Sequence, residues 1–176
     1  KAALRGFTTL SEKTTPTQLV SILNRYFSAL TEEIMNADGV VDKFIGDAIM
    51  AFWGAPLDDP EQADKALAAS RAMLQRLEEF NRELRHEGLA IKIGIGLHTG
   101  KAIIGNVGSA NRFDYTAIGD TVNVASRLEG LTKEYGAAII LSESTKNKIA
   151  GAYQFKLLGS AAVKGRAEPI TIYTVL

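Results

Sequence analysis

The stretch Gly39–Pro56, GVVDKFIGDAIMAFWGAP, constrains the fold of this chain more than any other. Two apolar runs rich in β-branched and aromatic residues, Val40–Ile45 and Ala48–Trp53, flank Gly46-Asp47. That pattern predicts a β-hairpin with a two-residue turn. Asp47 at the tip has two readings. It can serve turn chemistry, since Asp tolerates turn backbone and bonds to neighbouring amides, or it can face a ligand. Lys43 lies inside the first apolar run and must reach an edge or a polar partner, because a buried unpaired ammonium is costly. A cation on the strand and a carboxylate at its tip suit a nucleotide with its metal.

The rest of the composition narrows the class. The chain has 176 residues, enough for one domain with a substantial core. Lys plus Arg and Asp plus Glu balance at 20 each, which argues against a strongly basic nucleic-acid binder. No cysteine is present, so disulfides, thiolate metal sites and thiol nucleophiles are excluded. There is no long apolar run, so no membrane span or signal peptide is expected and a cytoplasmic location is compatible.

Around the hairpin the chain alternates helix and strand signals. Leu19, Ile22, Leu23, Tyr26, Leu30 and Ile34 form one stripe of a helix predicted from about Thr17 to Asn36. A second long helix is predicted from about Glu61 to His86, with Ala63, Leu67, Met73, Leu74, Leu77 and Leu84 on its apolar face and Gly88 closing it. Ile91–Leu97 reads as a strand whose glycines imply close approach of another backbone. Ala102–Val107 is expected to pair with it as a hairpin across Thr99-Gly100. His98 reads as a packed or hydrogen-bonded residue, since no second ligand lies at metal spacing.

Arg112–Leu128, RFDYTAIGDTVNVASRL, is the second informative stretch. Asp120 reads as the N-cap of a helix. On that helix Asn123 and Arg127 are four apart and share a face, as a solvated stripe, with Arg127 paired to a nearby acid, or as a ribose and phosphate surface. A strand (Ala137–Leu141), a short helix (Ser142–Ile149) and two strands (Tyr153–Leu158, Ile170–Val175) follow. Between the last two lies Val163-Lys164-Gly165-Arg166, a basic loop that is either solvated or suited to phosphate.

Five segments in order carry a resemblance: Arg5-Gly6-Phe7-Thr8, Lys43–Ala48, Gly105-Asn106-Val107-Gly108, Tyr115–Arg127 and Val163-Lys164-Gly165. Over nearly its whole length, 1–176, the chain resembles a class III nucleotidyl cyclase catalytic domain of the bacterial adenylate cyclase type. The resemblance implies a ferredoxin-like α/β (α+β) domain with a mainly antiparallel sheet flanked by helices. It also implies a head-to-tail homodimer whose two sites lie at the interface. The reaction implied is attack of the ATP ribose 3′-hydroxyl on the α-phosphate with loss of pyrophosphate, assisted by two Mg2+ or Mn2+ ions per site. Asp47 would hold metal in one subunit, opposite Lys43, Thr116, Asn123, Arg127 and Lys164 of the other. Backbone N–H groups of Gly6, Phe7 and Thr8 would cradle phosphate, Arg127 would meet the α-phosphoryl, Asn123 the ribose and Lys164 the terminal phosphates. Arg112 would add a phosphate contact. Lys43 and Thr116 match the base-reading positions and favour adenine, where guanylate cyclases usually carry Glu at the Lys43 position. No nucleic acid or membrane contact is implied for this segment, and regulatory domains are expected elsewhere in the protein.

One departure stands against these matches. The family places a second metal-binding Asp two residues before Arg5, where this chain has Ala3, and its first strand begins further upstream. An incomplete sequence, an altered one, or a catalytically silent relative that binds nucleotide, dimerises and regulates an attached domain would each account for it.

Overall fold

A computed structural model describes all residues, Lys1–Leu176. Its first half is a split βαβ unit: β1 (Ala2–Arg5), α1 (Phe7–Lys13), α2 (Pro16–Asn36), β2 (Val40–Ile45), β3 (Ala48–Phe52), α3 (Gln62–Leu84) and β4 (Lys92–Leu97). These strands lie in the spatial order β2-β3-β1-β4, the ferredoxin-like arrangement. The second half supplies β5 (Ile103–Ser109), β6 (Arg112–Ile118), α4 (Asp120–Tyr135), β7 (Ile139–Ser142), α5 (Glu143–Lys146), β8 (Phe155–Ala161) and β9 (Ile170–Val175). Strands β7, β9 and β8 extend the sheet beyond β4 to seven strands. Pairing is antiparallel throughout except between β4 and β7.

Local chemistry explains the long helices. Thr15 and Gln18 form a reciprocal capping box around Pro16, fixing the start of α2. Ile22, Tyr26, Leu30 and Ile34, one turn apart, are its buried stripe. With Leu67, Met73, Leu77 and Leu84 of α3 they cover one sheet face and build a core cluster of 21 residues. Helix α4 covers the other face, where Val124, Leu128 and Leu131 meet Ile140, Val163 and Ile172.

Position 3 sits in the centre of this sheet. Ala2 and Leu4 point into the larger core, so Ala3, between them, faces the α4 side. Its register partner on β4 is Gly94. The next residue on that face, Arg5, donates to the carbonyls of Thr132 and Ala137 at the end of α4.

Two expectations from sequence are corrected. The segment after Gly100 does not fold back on β4. Both edges of β4 are taken, by β1 and by β7, so β5 pairs instead with β6 in a separate two-stranded ribbon. The cap of α4 is Gly119, at φ 128, rather than Asp120. Asp120 is the first helical residue, and its carboxylate accepts a hydrogen bond from Arg166 at 2.6 Å.

Candidate functional site

The candidate site residues fall into three groups on this chain. The first is the hairpin tip against β1. Gly46, at φ 59, makes the turn that Asp47 completes. The Asp47 carboxylate does not bond within its own turn. It reaches across to β1 and accepts the Leu4 N–H at 2.8 Å. The Tyr26 hydroxyl, rising from α2, donates to the Asp47 carbonyl at 3.2 Å. Tyr26 is fully buried, and that burial, then the Asp47 charge, pushes its phenol well above the usual range, so it stays a donor. Beside this tip, Gly6 at φ 71 turns the chain into α1. Phe7 and Thr8 are the first residues of that helix, where N–H groups lack intrahelical acceptors.

The second group joins β2 to β6. Val41 pairs with Ala51 but Lys43 pairs with Met50, so Asp42 is the extra residue of a β-bulge. The bulge turns Asp42 inward, leaving its side chain 4% exposed. One carboxylate oxygen accepts from the Thr116 hydroxyl at 2.7 Å and the Ala117 N–H at 3.2 Å. The other oxygen is buried without a hydrogen bond and lies 3.8 Å from the Lys43 ammonium, whose side chain is 44% exposed. Lys43 and Thr116 are thus held on one carboxylate. Opposite Thr116 in the ribbon stands Gly105, over which there is open space. Sequence reading passed over Asp42. The signal was two consecutive charged residues, Asp42-Lys43, breaking the alternation of an apolar strand.

The third group lies along α4. Val124 and Leu128 are buried, which leaves Asn123 and Arg127 together on the exposed face. The Arg127 Nε donates to the Ala162 carbonyl at 3.2 Å. Two residues on, Lys164 occupies a turn closed by the Arg166 N–H on the Val163 carbonyl at 3.1 Å, with Gly165 at φ 85. The Asp120–Arg166 pair ties the same turn to the start of α4. The loop that carries Lys164 is therefore anchored to α4 at both Arg127 and Asp120, by packing that sequence did not reveal. Arg112 stands apart. It pairs with Ser109 at the tip of the ribbon, four residues beyond Thr116, about 13 Å along the strand.

His98 is the hydrogen-bonded residue the sequence suggested. Its Nδ1 lies 2.7 Å from the Ser142 hydroxyl. Burial, with a smaller effect from the Arg166 charge, brings its pKa down to about 4, so the ring is neutral near pH 7.

No cluster of three or more His, Cys, Asp or Glu side chains stands at metal-binding distance. Asp47 is the one carboxylate at the hairpin tip, and Ala3 on the neighbouring strand offers no side-chain oxygen. These residues fit one ion shared with a ligand's own oxygens and do not fit a pair. No ion pair joins Asp47 to Arg127 or Lys164. No helix is long and apolar enough to cross a membrane.

Comparison with known proteins agrees with this geometry. Residues 2–176 match the adenylate and guanylate cyclase catalytic domain. The chain is 41% identical to adenylate cyclase 1 of Rhizobium meliloti over 97% of its length. It is 42% identical to an adenylate cyclase of Anabaena cylindrica over 98%. It spans only 26% and 35% of those two proteins. Among solved structures, the adenylyl cyclase CyaB of P. aeruginosa superposes with a TM-score of 0.91 at 34% identity, covering 99% of this chain and 90% of that one. The chain belongs to the adenylate and guanylate cyclase catalytic domain family.

Proposed function

We propose that this domain has the architecture for converting ATP into 3′,5′-cyclic AMP and pyrophosphate at two equivalent sites, each shared across a homodimer, with turnover held low by Ala3 where a second metal-binding carboxylate is needed. The observation that carries the choice of ATP is the pairing of Lys43 and Thr116 on Asp42. An ammonium donor beside a hydroxyl suits the adenine edge, which offers a ring-nitrogen acceptor and an amine donor. A site built on buried hydrogen bonds rejects the base that leaves those groups unpaired.

The remaining groups account for the phosphates and ribose. Arg127, anchored through Nε, keeps its terminal N–H groups free to stabilise charge developing on the α-phosphoryl. Asn123, one turn earlier, would hold the ribose so that its 3′-hydroxyl lies in line. Lys164 would meet the terminal phosphates, with the N–H groups of Gly6, Phe7 and Thr8 cradling their oxygens. A Mg2+ or Mn2+ ion held by Asp47 together with the triphosphate would offset phosphate charge. Arg112 fits a phosphate contact only from the far end of the ribbon. Support for dimerisation comes from the apolar side chains exposed on the hairpin and ribbon: Phe44 is 50% exposed, Ile103 69% and Phe113 59%. Such a surface fits an interface.

Ala3 favours a second reading, a domain that binds nucleotide and dimerises without turnover and regulates an attached domain. The two separate in a cyclic AMP assay of the chain beside its Ala3→Asp variant, with ATP binding and dimerisation checked in both. The chain with Ala3 is expected to bind ATP with metal and form little cyclic AMP, and Ala3→Asp to switch production on. A folded, dimeric Ala3→Asp protein without cyclic AMP would leave the regulatory reading standing.

A further inference from the structure

The Thr116 hydroxyl has one proton, and its use decides which base it can recognise. A free threonine hydroxyl rotates, donating to one partner or accepting from another. It would greet the adenine amine and the guanine carbonyl equally well. Here that freedom is gone. The hydroxyl donates to the Asp42 carboxylate at 2.7 Å, which engages its one proton. The same oxygen also accepts the Ala117 N–H at 3.2 Å, which fixes the carboxylate against β6. Thr116 is 4% exposed, so water does not compete readily for the bond.

The second carboxylate oxygen completes the arrangement. It is buried without a hydrogen bond, and the nearest cation is the Lys43 ammonium at 3.8 Å. Its charge draws the ammonium toward Thr116 while leaving its N–H groups available to a ligand. Position 42 owes this placement to the β2 bulge. Without the extra residue, a one-residue change of register would send the side chain to the opposite face of the strand.

We infer that Asp42 is a specificity-determining positioning residue: by taking the Thr116 proton and orienting Lys43, it leaves the base edge as one acceptor beside one donor, complementary to adenine and opposed to guanine. The inference rests on the nucleotide-cyclase reading of the site and deepens it. Asp42 does not touch the base and acts through the two residues that do.

The test is nucleotide preference in direct binding, using displacement of a fluorescent ATP analogue by ATP and by GTP, which does not depend on turnover. The parent is expected to prefer ATP. Asp42→Ala frees the hydroxyl to donate, and the preference should fall about tenfold, mainly through tighter GTP binding. Asp42→Asn, whose amide oxygen can still take the Thr116 proton, should keep most of it. A folded Asp42→Ala protein with the parental preference would overturn the inference. If Asp42→Ala does not fold, Thr116→Val decides. With the proton committed to Asp42, losing the hydroxyl should weaken ATP and leave GTP unchanged, whereas equal weakening of both would overturn the inference. A parent that binds neither nucleotide overturns the site reading and this inference together. Absence of cyclic AMP from a parent that binds ATP counts against turnover alone and leaves the binding result decisive.

Discussion

Helix α4, which carries Asn123 and Arg127, is seated close against β4 at Gly96. A Cβ at this position would stand 2.3 Å from the Glu129 amide nitrogen and 2.4 Å from the Ala125 carbonyl oxygen. Both are helix backbone and cannot swing aside. Opening the 2.3 Å contact to an ordinary 3.4 Å requires α4 to withdraw by about 1 Å. Val124 and Leu128, both fully buried beneath α4, would lose packing at the same time. Gly96→Ala should therefore destabilise the domain by about 1–3 kcal/mol, the range for overpacking a close-packed core. The control is Gly130 on the exposed side of the same helix, where a Cβ meets nothing within 4 Å. There the same substitution removes only backbone freedom and should stabilise by about 0.5–1 kcal/mol. Urea denaturation of parent and both variants measures the contrast. In an Ala3→Asp background, Gly96→Ala should also lower cyclic AMP formation by up to about a hundredfold, since 1 Å is a large misplacement for a positioned group. A Gly96→Ala protein as stable as the parent would refute the close seating of α4.

Two further outcomes follow from the site. His98 has a pKa of about 4 in place of 6.5, so between those values the unfolded chain binds a proton that the folded one does not. Its contribution to stability is complete above pH 6.5 and is lost as the pH falls toward 4; melting temperatures across this window should fall less steeply in His98→Gln than in the parent. Lys43→Glu replaces the donor proposed for the base edge by an acceptor, and in an Ala3→Asp background activity with ATP should fall far more than activity with GTP. Unchanged preference in steady-state kinetics would remove Lys43 from base reading.

Much of the fold was legible because its signals are local. The α2 stripe and the Val40–Phe52 hairpin follow from periodicity within a single element. The partner of β5 was not legible, because it depends on which edges of β4 are already occupied by distant strands. The site divides the same way. Asn123 and Arg127 share a helix face by spacing alone, but the seating of Arg127 on Ala162 joins residues 35 apart in sequence. Asp42 escaped because a bulge alters which face a side chain takes, and alternation alone assigns it wrongly. Asp120 looked like a cap and is instead an ion-pair partner, since Gly119 takes the cap backbone that Asp120 would have needed.

The central claim, a cyclase site assembled from two chains, is tested most directly by mixing. In an Ala3→Asp background, Asp47→Ala and Arg127→Ala proteins are each expected to form almost no cyclic AMP, because every site in either homodimer lacks one group. In a mixed dimer both lesions fall in one site and the other site is whole. An equal mixture that has exchanged subunits should recover about a quarter of the Ala3→Asp rate, since half the dimers are mixed and each has one whole site of two. Recovery near that level is the predicted result. A mixture as inactive as its parents, with heterodimers demonstrated, would contradict a shared site.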